Sequence, residues 1–200
     1  MRKPPGKKKP LDRLFKKLSQ ECKNSSRFKD SRPVFSEGNP ASPLMIVGEA
    51  PGRDETRLGR PFVGRAGTFF TKILEDALGA GRGNFYITNT VKVWPHLKTK
   101  RLKTRAPLKS EIDFFLPYLL EEIRIVRPKV ILAVGRTAFG SVAPEKKFEC
   151  GAWTKGVLGH DVVSVYHPAY ILRKKKDLKK NTDELRSILK KVKKSLGRKS

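Results

Sequence analysis

The sequence predicts a three-layer α/β/α fold around a mainly parallel, four-stranded sheet. Three observations carry that prediction. Four short apolar runs, Leu44–Val47, Phe85–Thr88, Val130–Val134 and Val162–Val165, each end at a glycine or polar residue. Apolar residues at helical spacing lie between them. The connections are long enough for crossovers, as parallel neighbours require. The runs are apolar on both faces, as expected of strands covered by helices on each side.

In chain order, Met1–Pro10 is a Lys/Pro/Gly segment with nothing to bury, read as a disordered basic arm. Leu11, Leu14, Phe15 and Leu18 recur at helical spacing and predict an amphipathic helix over 11–21. Ser36–Pro43 reads as a loop into the first strand, which breaks at Gly48. Phe69, Phe70, Ile73, Leu74, Ala77 and Leu78 predict a helix over 65–78, stopped by Gly79. Gly79, Gly81 and Gly83 do not form a dinucleotide fingerprint, because they precede a strand and Asn84 holds the last glycine's place. After the second strand comes a basic stretch, His96–Lys109, with six Lys or Arg and no acid. Ser110 is expected to cap a helix running to Val126, broken by Pro128. The third strand leads through Gly135 to a short helix, and the fourth ends in Tyr166, His167 and Pro168. Residues 177–196 read as a basic amphipathic helix. Residues 11–196 therefore form one domain, with 197–200 a basic tail.

The composition bounds the partner. Across 200 residues, 45 Lys and Arg face 19 acids, a formal charge of +26. Such a field attracts polyanions and gains affinity by counterion release, so nucleic acid is the first candidate and a membrane surface the second. No apolar run approaches a membrane span, and the N-terminus lacks the apolar core of a secretory signal. A soluble, cytoplasmic protein is expected. Cys22 and Cys150 are too few for a disulfide framework and too far apart for a complete zinc site.

The polar residues just after strands are Glu49, Asn89 and His167. In a parallel sheet they share the carboxyl rim, where open α/β folds bind ligands. With Phe62 on the first connecting loop they assemble an aromatic face, an amide, an imidazole and a carboxylate, a set suited to a flat heterocycle. Taken singly, Asn89 could be a turn residue or helix cap and His167 a turn histidine. His96 and His160 have no partner in view.

These residues also carry a resemblance. Gly48-Glu49-Ala50-Pro51-Gly52, Gly59-Arg60-Pro61-Phe62-Val63-Gly64-Arg65-Ala66-Gly67, Asn89-Thr90-Val91-Lys92 and His167-Pro168-Ala169-Tyr170-Ile171-Leu172-Arg173 resemble the signature motifs of the uracil-DNA glycosylase superfamily. The likeness runs from about Cys22 to Arg173 and is greatest to its iron–sulfur class, family four. It implies that Asn89 reads the base, Phe62 stacks on it, His167 donates to uracil O2, and Glu49 positions or activates water. Ala50 stands where the non-iron–sulfur enzymes carry a catalytic Asp. Glu55 matches a second acid near the place a thymine methyl would need. Ile171, Leu172 and Arg173 match the loop that enters the duplex when the base leaves.

The sequence departs from that class twice. Cys22 matches the first of four cluster cysteines, but Ser25, Val93 and Phe115 stand at the others. One thiolate cannot hold a cluster, so no iron–sulfur cluster and no metal are expected, with Phe115 and Trp94 packing the corner instead. In the basic stretch, Thr104 falls where one subgroup carries a sugar-trapping histidine. Covalent trapping is therefore not expected, and Lys100, Arg101, Lys103 and Arg105 are read as phosphate contacts. The implied partner is uracil-containing DNA, double- or single-stranded, bound by a monomer in the cytoplasm, associated with the nucleoid. A glycosylase for hypoxanthine or xanthine, and a non-catalytic nucleic-acid-binding protein, are the alternatives.

Overall fold

In the computed structural model, which describes residues 6–97 and 102–197, the first helix α1 is Lys8–Asn24. It begins three residues before the predicted start, so Lys8–Pro10 are helical rather than part of an arm. Lys7 donates to the Val126 carbonyl (2.6 Å) and ties this end down. Then follow β1 (Glu37–Gly38), β2 (Leu44–Gly48), α2 (Arg53–Leu58) and α3 (Arg65–Leu78). Gly79 ends α3 in the left-handed conformation (φ +68°), where a Cβ would be strained.

The second run forms β3 (Tyr86–Asn89), and the basic stretch folds back as a small hairpin, β4 (His96–Leu97) with β5 (Lys103–Thr104). Helix α4 spans Lys109–Val126. Its N-cap is Leu108 rather than Ser110. Glu111, in the first turn, accepts from the Leu108 N–H (2.8 Å), while the Ser110 hydroxyl accepts from Arg27. The remaining elements are β6 (Val130–Val134), α5 (Arg136–Val142), β7 (Trp153–Lys155), β8 (Asp161–Val165), α6 (Pro168–Arg173) and α7 (Leu178–Leu196).

The sheet has six strands in the order β1-β3-β2-β6-β8-β7. Its centre, β3-β2-β6-β8, is parallel and consists of the four predicted strands. The prediction of four is corrected by two antiparallel edge strands, β1 and β7. Both are too short and polar for hydrophobic periodicity to mark them.

Side chains alternate across the sheet with period two. Leu44, Ile46, Leu132, Val134, Val163 and Val165 pack against α3, α6 and α7. Met45, Val47, Ile131, Ala133 and Val162 pack against α1, α4 and α5. Two covered faces leave the strand ends as the open edge of the sheet, where β2 ends at Gly48 and β3 at Asn89. Among the described residues no helix is long and apolar enough to cross a membrane.

Candidate active site

The site is organised by what cannot be added to it. Gly48 and Asn89 are register partners at the ends of β2 and β3. A Cβ on Gly48 would collide with Asn89 Oδ1 and lie 2.6 and 2.8 Å from Cζ and Cε2 of Phe62. Ring and amide therefore converge over a backbone that only glycine leaves open. On the far side a Cβ on Gly67, in the first turn of α3, would strike the main chain of Phe62.

Phe62 itself adopts a left-handed φ of +54°, which is strained for a residue with a Cβ. Two clamps hold it there. Arg82 donates to the carbonyls of Phe62 (3.2 Å) and Pro61 (2.7 Å) and pairs with Glu37 (3.1 Å). Glu37 also accepts both arms of Arg60 (2.9 and 2.7 Å). Burial alone would raise the Glu37 pKa, but the hydrogen bonds and charges of Arg60 and Arg82 outweigh it and lower the value. The second clamp is Glu55 on α2. Its oxygens accept from the N–H groups of Val63 (3.0 Å), Gly64 (2.7 Å) and Gly52 (3.1 Å). The ring edge packs on Phe70, with centroids 5.5 Å apart.

Glu49 and His167 are positioned across β2, β6 and β8. Thr137, in the first turn of α5, donates to Glu49 Oε2 (2.6 Å). His167 caps α6: its Nδ1 accepts from the Ala169 N–H (3.2 Å). An accepting Nδ1 assigns the neutral ring's proton to Nε2. Desolvation lowers the His167 pKa, helped by the charge of Arg173 and opposed by Glu49 and Glu55. The ring lies close above Gly135 (φ +93°), where a Cβ would come within 3.1 Å of His167 Cβ.

One cavity of about 350 Å³ is lined by Glu49, Ala50, Glu55, Phe62, Asn89 and His167, within the usual range for small-ligand sites. The six residues singled out for catalysis and base contact thus meet at one place. Asn89 is only 3% exposed, and its side-chain amide has no hydrogen-bond partner among the described residues. The amide opens onto the cavity that Asn89 lines, where a ligand can bond it.

The residues expected to hold DNA fare differently. Lys100 and Arg101 lie outside the described residues, and Lys103 is exposed on β5. Arg105 makes a two-armed pair with Glu111 (2.7 and 2.6 Å) beside the cavity. Ile171 is placed differently from a surface loop. It is 1% exposed and packs in the core with α3 and α7, on a helix rather than a loop. Six residues are too few for periodicity to reveal that helix. Leu172 is half-buried and Arg173 exposed.

Sequence reasoning overlooked the residues that hold the site. Thr137 stands three residues beyond the third strand, so the rim rule that found Glu49 and His167 could have found it. Lys92 was in view within the Asn89-Thr90-Val91-Lys92 motif. It is fully buried and donates to the Asn89 carbonyl and the Thr88 hydroxyl (2.6 Å each) while paired with equally buried Glu122 on α4. Tyr86 donates to the other Glu122 oxygen (3.0 Å).

The corner around Cys22 is apolar. Its buried neighbours are Leu18, Phe28, Val91, Val93, Phe115 and Tyr118, and the Phe28 and Phe115 rings lie 5.1 Å apart. Trp94 takes no part in this packing. It donates to the Thr104 hydroxyl (2.9 Å) and lies against His96 in the hairpin.

Fold and pocket together define an α/β/α protein with an aromatic ring, an amide, an imidazole and a carboxylate gathered in one cavity at the carboxyl edge of its sheet. Residues 35–193 match the model of the Uracil DNA glycosylase superfamily, and the chain belongs to that superfamily. It is similar to curated type-4 uracil-DNA glycosylases. One from Thermotoga maritima is 36% identical over 160 residues, 78% of this chain and 77% of the relative. One from Pyrobaculum aerophilum is 36% identical over 151 residues, 70% and 74% of the two chains. One from Saccharolobus solfataricus is 34% identical over 163 residues, 76% and 72%.

Proposed function

We propose that the protein is a uracil-DNA glycosylase, a DNA-repair hydrolase that flips uracil out of DNA and cleaves its N-glycosyl bond to leave an abasic site. The observation that carries this reading is the convergence on one cavity of the Phe62 ring and the Asn89 amide, which makes no hydrogen bond among the described residues. Uracil offers that amide a ring N–H donor and a carbonyl acceptor side by side. Cytosine offers the opposite polarity, which leaves buried groups unpaired at a penalty of about 1–3 kcal/mol each.

Bond cleavage leaves an oxocarbenium-like sugar and a uracil anion. The Nε2–H of neutral His167, fixed by its cap on Ala169, donates to the base oxygen as charge develops there. Preorganised donors of this kind are worth roughly 10²–10³ in rate. Glu49, oriented by Thr137, holds the attacking water and favours the positive sugar. Ala50 lines the floor beside it. Glu55, with both oxygens on backbone N–H groups, acts through the Phe62 loop rather than by direct base chemistry. Lys103, Leu172 and Arg173 border the DNA, and Lys100 and Arg101 add phosphate contacts. The protein works as a monomer in the cytoplasm, at the nucleoid.

The corner at Cys22 does without the four-iron cluster of the type-4 class. Cys22 is surrounded by aliphatic and aromatic side chains, and Cys150, the only other cysteine, packs with the opposite core on the α7 side of the sheet. Such surroundings do not fit a cluster. Protein purified anaerobically is expected to contain no stoichiometric iron by elemental analysis; one cluster per chain would end this reading.

Incubation with uracil-containing oligonucleotides should generate alkali-labile sites and free uracil. A panel including hypoxanthine and xanthine fixes the lesion, and DNA binding without any abasic product would refute the proposal. The pH dependence follows from His167. Its folded pKa lies below the ordinary value of about 6.5, so excision should be level above about pH 6.5 and fall only below it. Protonation at Nδ1 destroys the cap, and because the unfolded chain takes up this proton first, stability from this group also declines as pH falls through that window. His167→Gln, which keeps an N–H donor but does not titrate, should lose the acidic limb.

A further inference from the structure

We propose that a row of aromatic and cationic side chains beside the pocket, Arg136–Phe148–Tyr166–Tyr170–Lys174, is a binding track for single-stranded DNA flanking the flipped nucleotide. The row is continuous. The Arg136 guanidinium lies 4.9 Å above the Phe148 ring, Phe148 is 6.0 Å from Tyr166, Tyr166 is 5.0 Å from Tyr170, and the Lys174 ammonium is 5.9 Å from the Tyr170 ring. It draws on three separate parts of the chain, α5, the segment before β7, and α6 with its flanks.

Each end is tied to the active site through the chain. Arg136 follows Gly135, on which His167 packs, and precedes Thr137, which orients Glu49. Tyr166 precedes His167, and Tyr170 stands one turn further along α6. Tyr166 and Tyr170 flank His167 and Pro168, which line the cavity, so the row lies within reach of a strand whose target nucleotide enters it.

The chemistry suits unpaired bases. Tyr170 is 37% exposed, a large ring presented to solvent. Arg136, Lys146, Lys147, Lys174, Lys175 and Lys176 surround the row with exposed positive charge. Aromatic faces interleaved with phosphate-binding cations are the means by which proteins hold single strands without reading sequence. In a duplex the bases are already stacked on one another, so the rings have nothing to take and only the cations contribute.

The test uses the full chain and uracil-free DNA, so its outcome is independent of base excision. Affinity for a labelled oligothymidine and for a duplex of equal length is measured by fluorescence anisotropy across a salt series. Tyr170→Ala should weaken single-strand binding about tenfold, from the usual strength of base–aromatic stacking, with less than a twofold effect on the duplex. Its salt slope should be unchanged, since no charge is lost. Tyr170→Phe should bind like wild type. Lys174→Ala should lower the single-strand salt slope by about 0.7, the value for one phosphate contact. Equal losses on both substrates, no loss on the single strand, or a Tyr170→Phe defect as large as that of Tyr170→Ala would each overturn the track.

Discussion

Asn89→Ala is expected to reduce single-turnover excision of uracil on the order of 10²-fold or more while leaving affinity for DNA nearly unchanged. On the proposed reading the amide donates one hydrogen bond to the base and accepts another. Each lost partner leaves a buried group unsatisfied, at about 1–3 kcal/mol; two such losses correspond to two to four powers of ten in rate. DNA affinity comes chiefly from phosphates, which Asn89 does not face. Gel-shift and quench measurements on the same preparation separate the two effects. Equal loss of binding and excision would show that the amide does not read the base.

The second large effect is on stability. Lys92→Met should destabilise the protein by about 3–5 kcal/mol, because it leaves the Glu122 carboxylate buried with only the Tyr86 hydroxyl as partner. Burial already lowers the Lys92 pKa, opposed by the charge of Glu122. Removing both charges together, as Lys92→Met with Glu122→Gln, should recover much of the loss. Urea midpoints at constant slope measure it. The double variant should fold yet excise more slowly than wild type, since the Asn89 carbonyl no longer has its anchor. A single variant within 1 kcal/mol of wild type would remove the pair from the list of structural supports.

How much of this was readable beforehand depended on the range of the interaction. The four central strands were legible because both faces of the sheet are covered, so each strand is a dense apolar run. Edge strands β1 and β7 were not, because two or three residues with polar side chains carry no period. Glu49, Asn89 and His167 were legible from a single rule, that polar residues following parallel strands share a rim; Phe62 was read from its connecting loop, and Ala50 and Glu55 only from the resemblance to the glycosylase motifs. The packing of Arg105 and Ile171 was not legible for one shared reason. Their partners, Glu111 across a turn and the core beneath α6, are matters of three-dimensional packing. Lys92 was overlooked because a lysine in a basic chain looks like surface, and nothing local says that Glu122 waits for it thirty positions later. The left-handed backbone at Phe62 was likewise invisible, since its clamps come from Glu37, Glu55 and Arg82.

Burial of the two cysteines has a consequence for the conditions in which the protein can work. Desolvation pushes the Cys22 thiol up to about 11, and that of Cys150 likewise to about 11. A thiolate, the form that peroxides attack, is therefore scarce at both positions at neutral pH, so neither cysteine is an easy target when oxidants reach the cell.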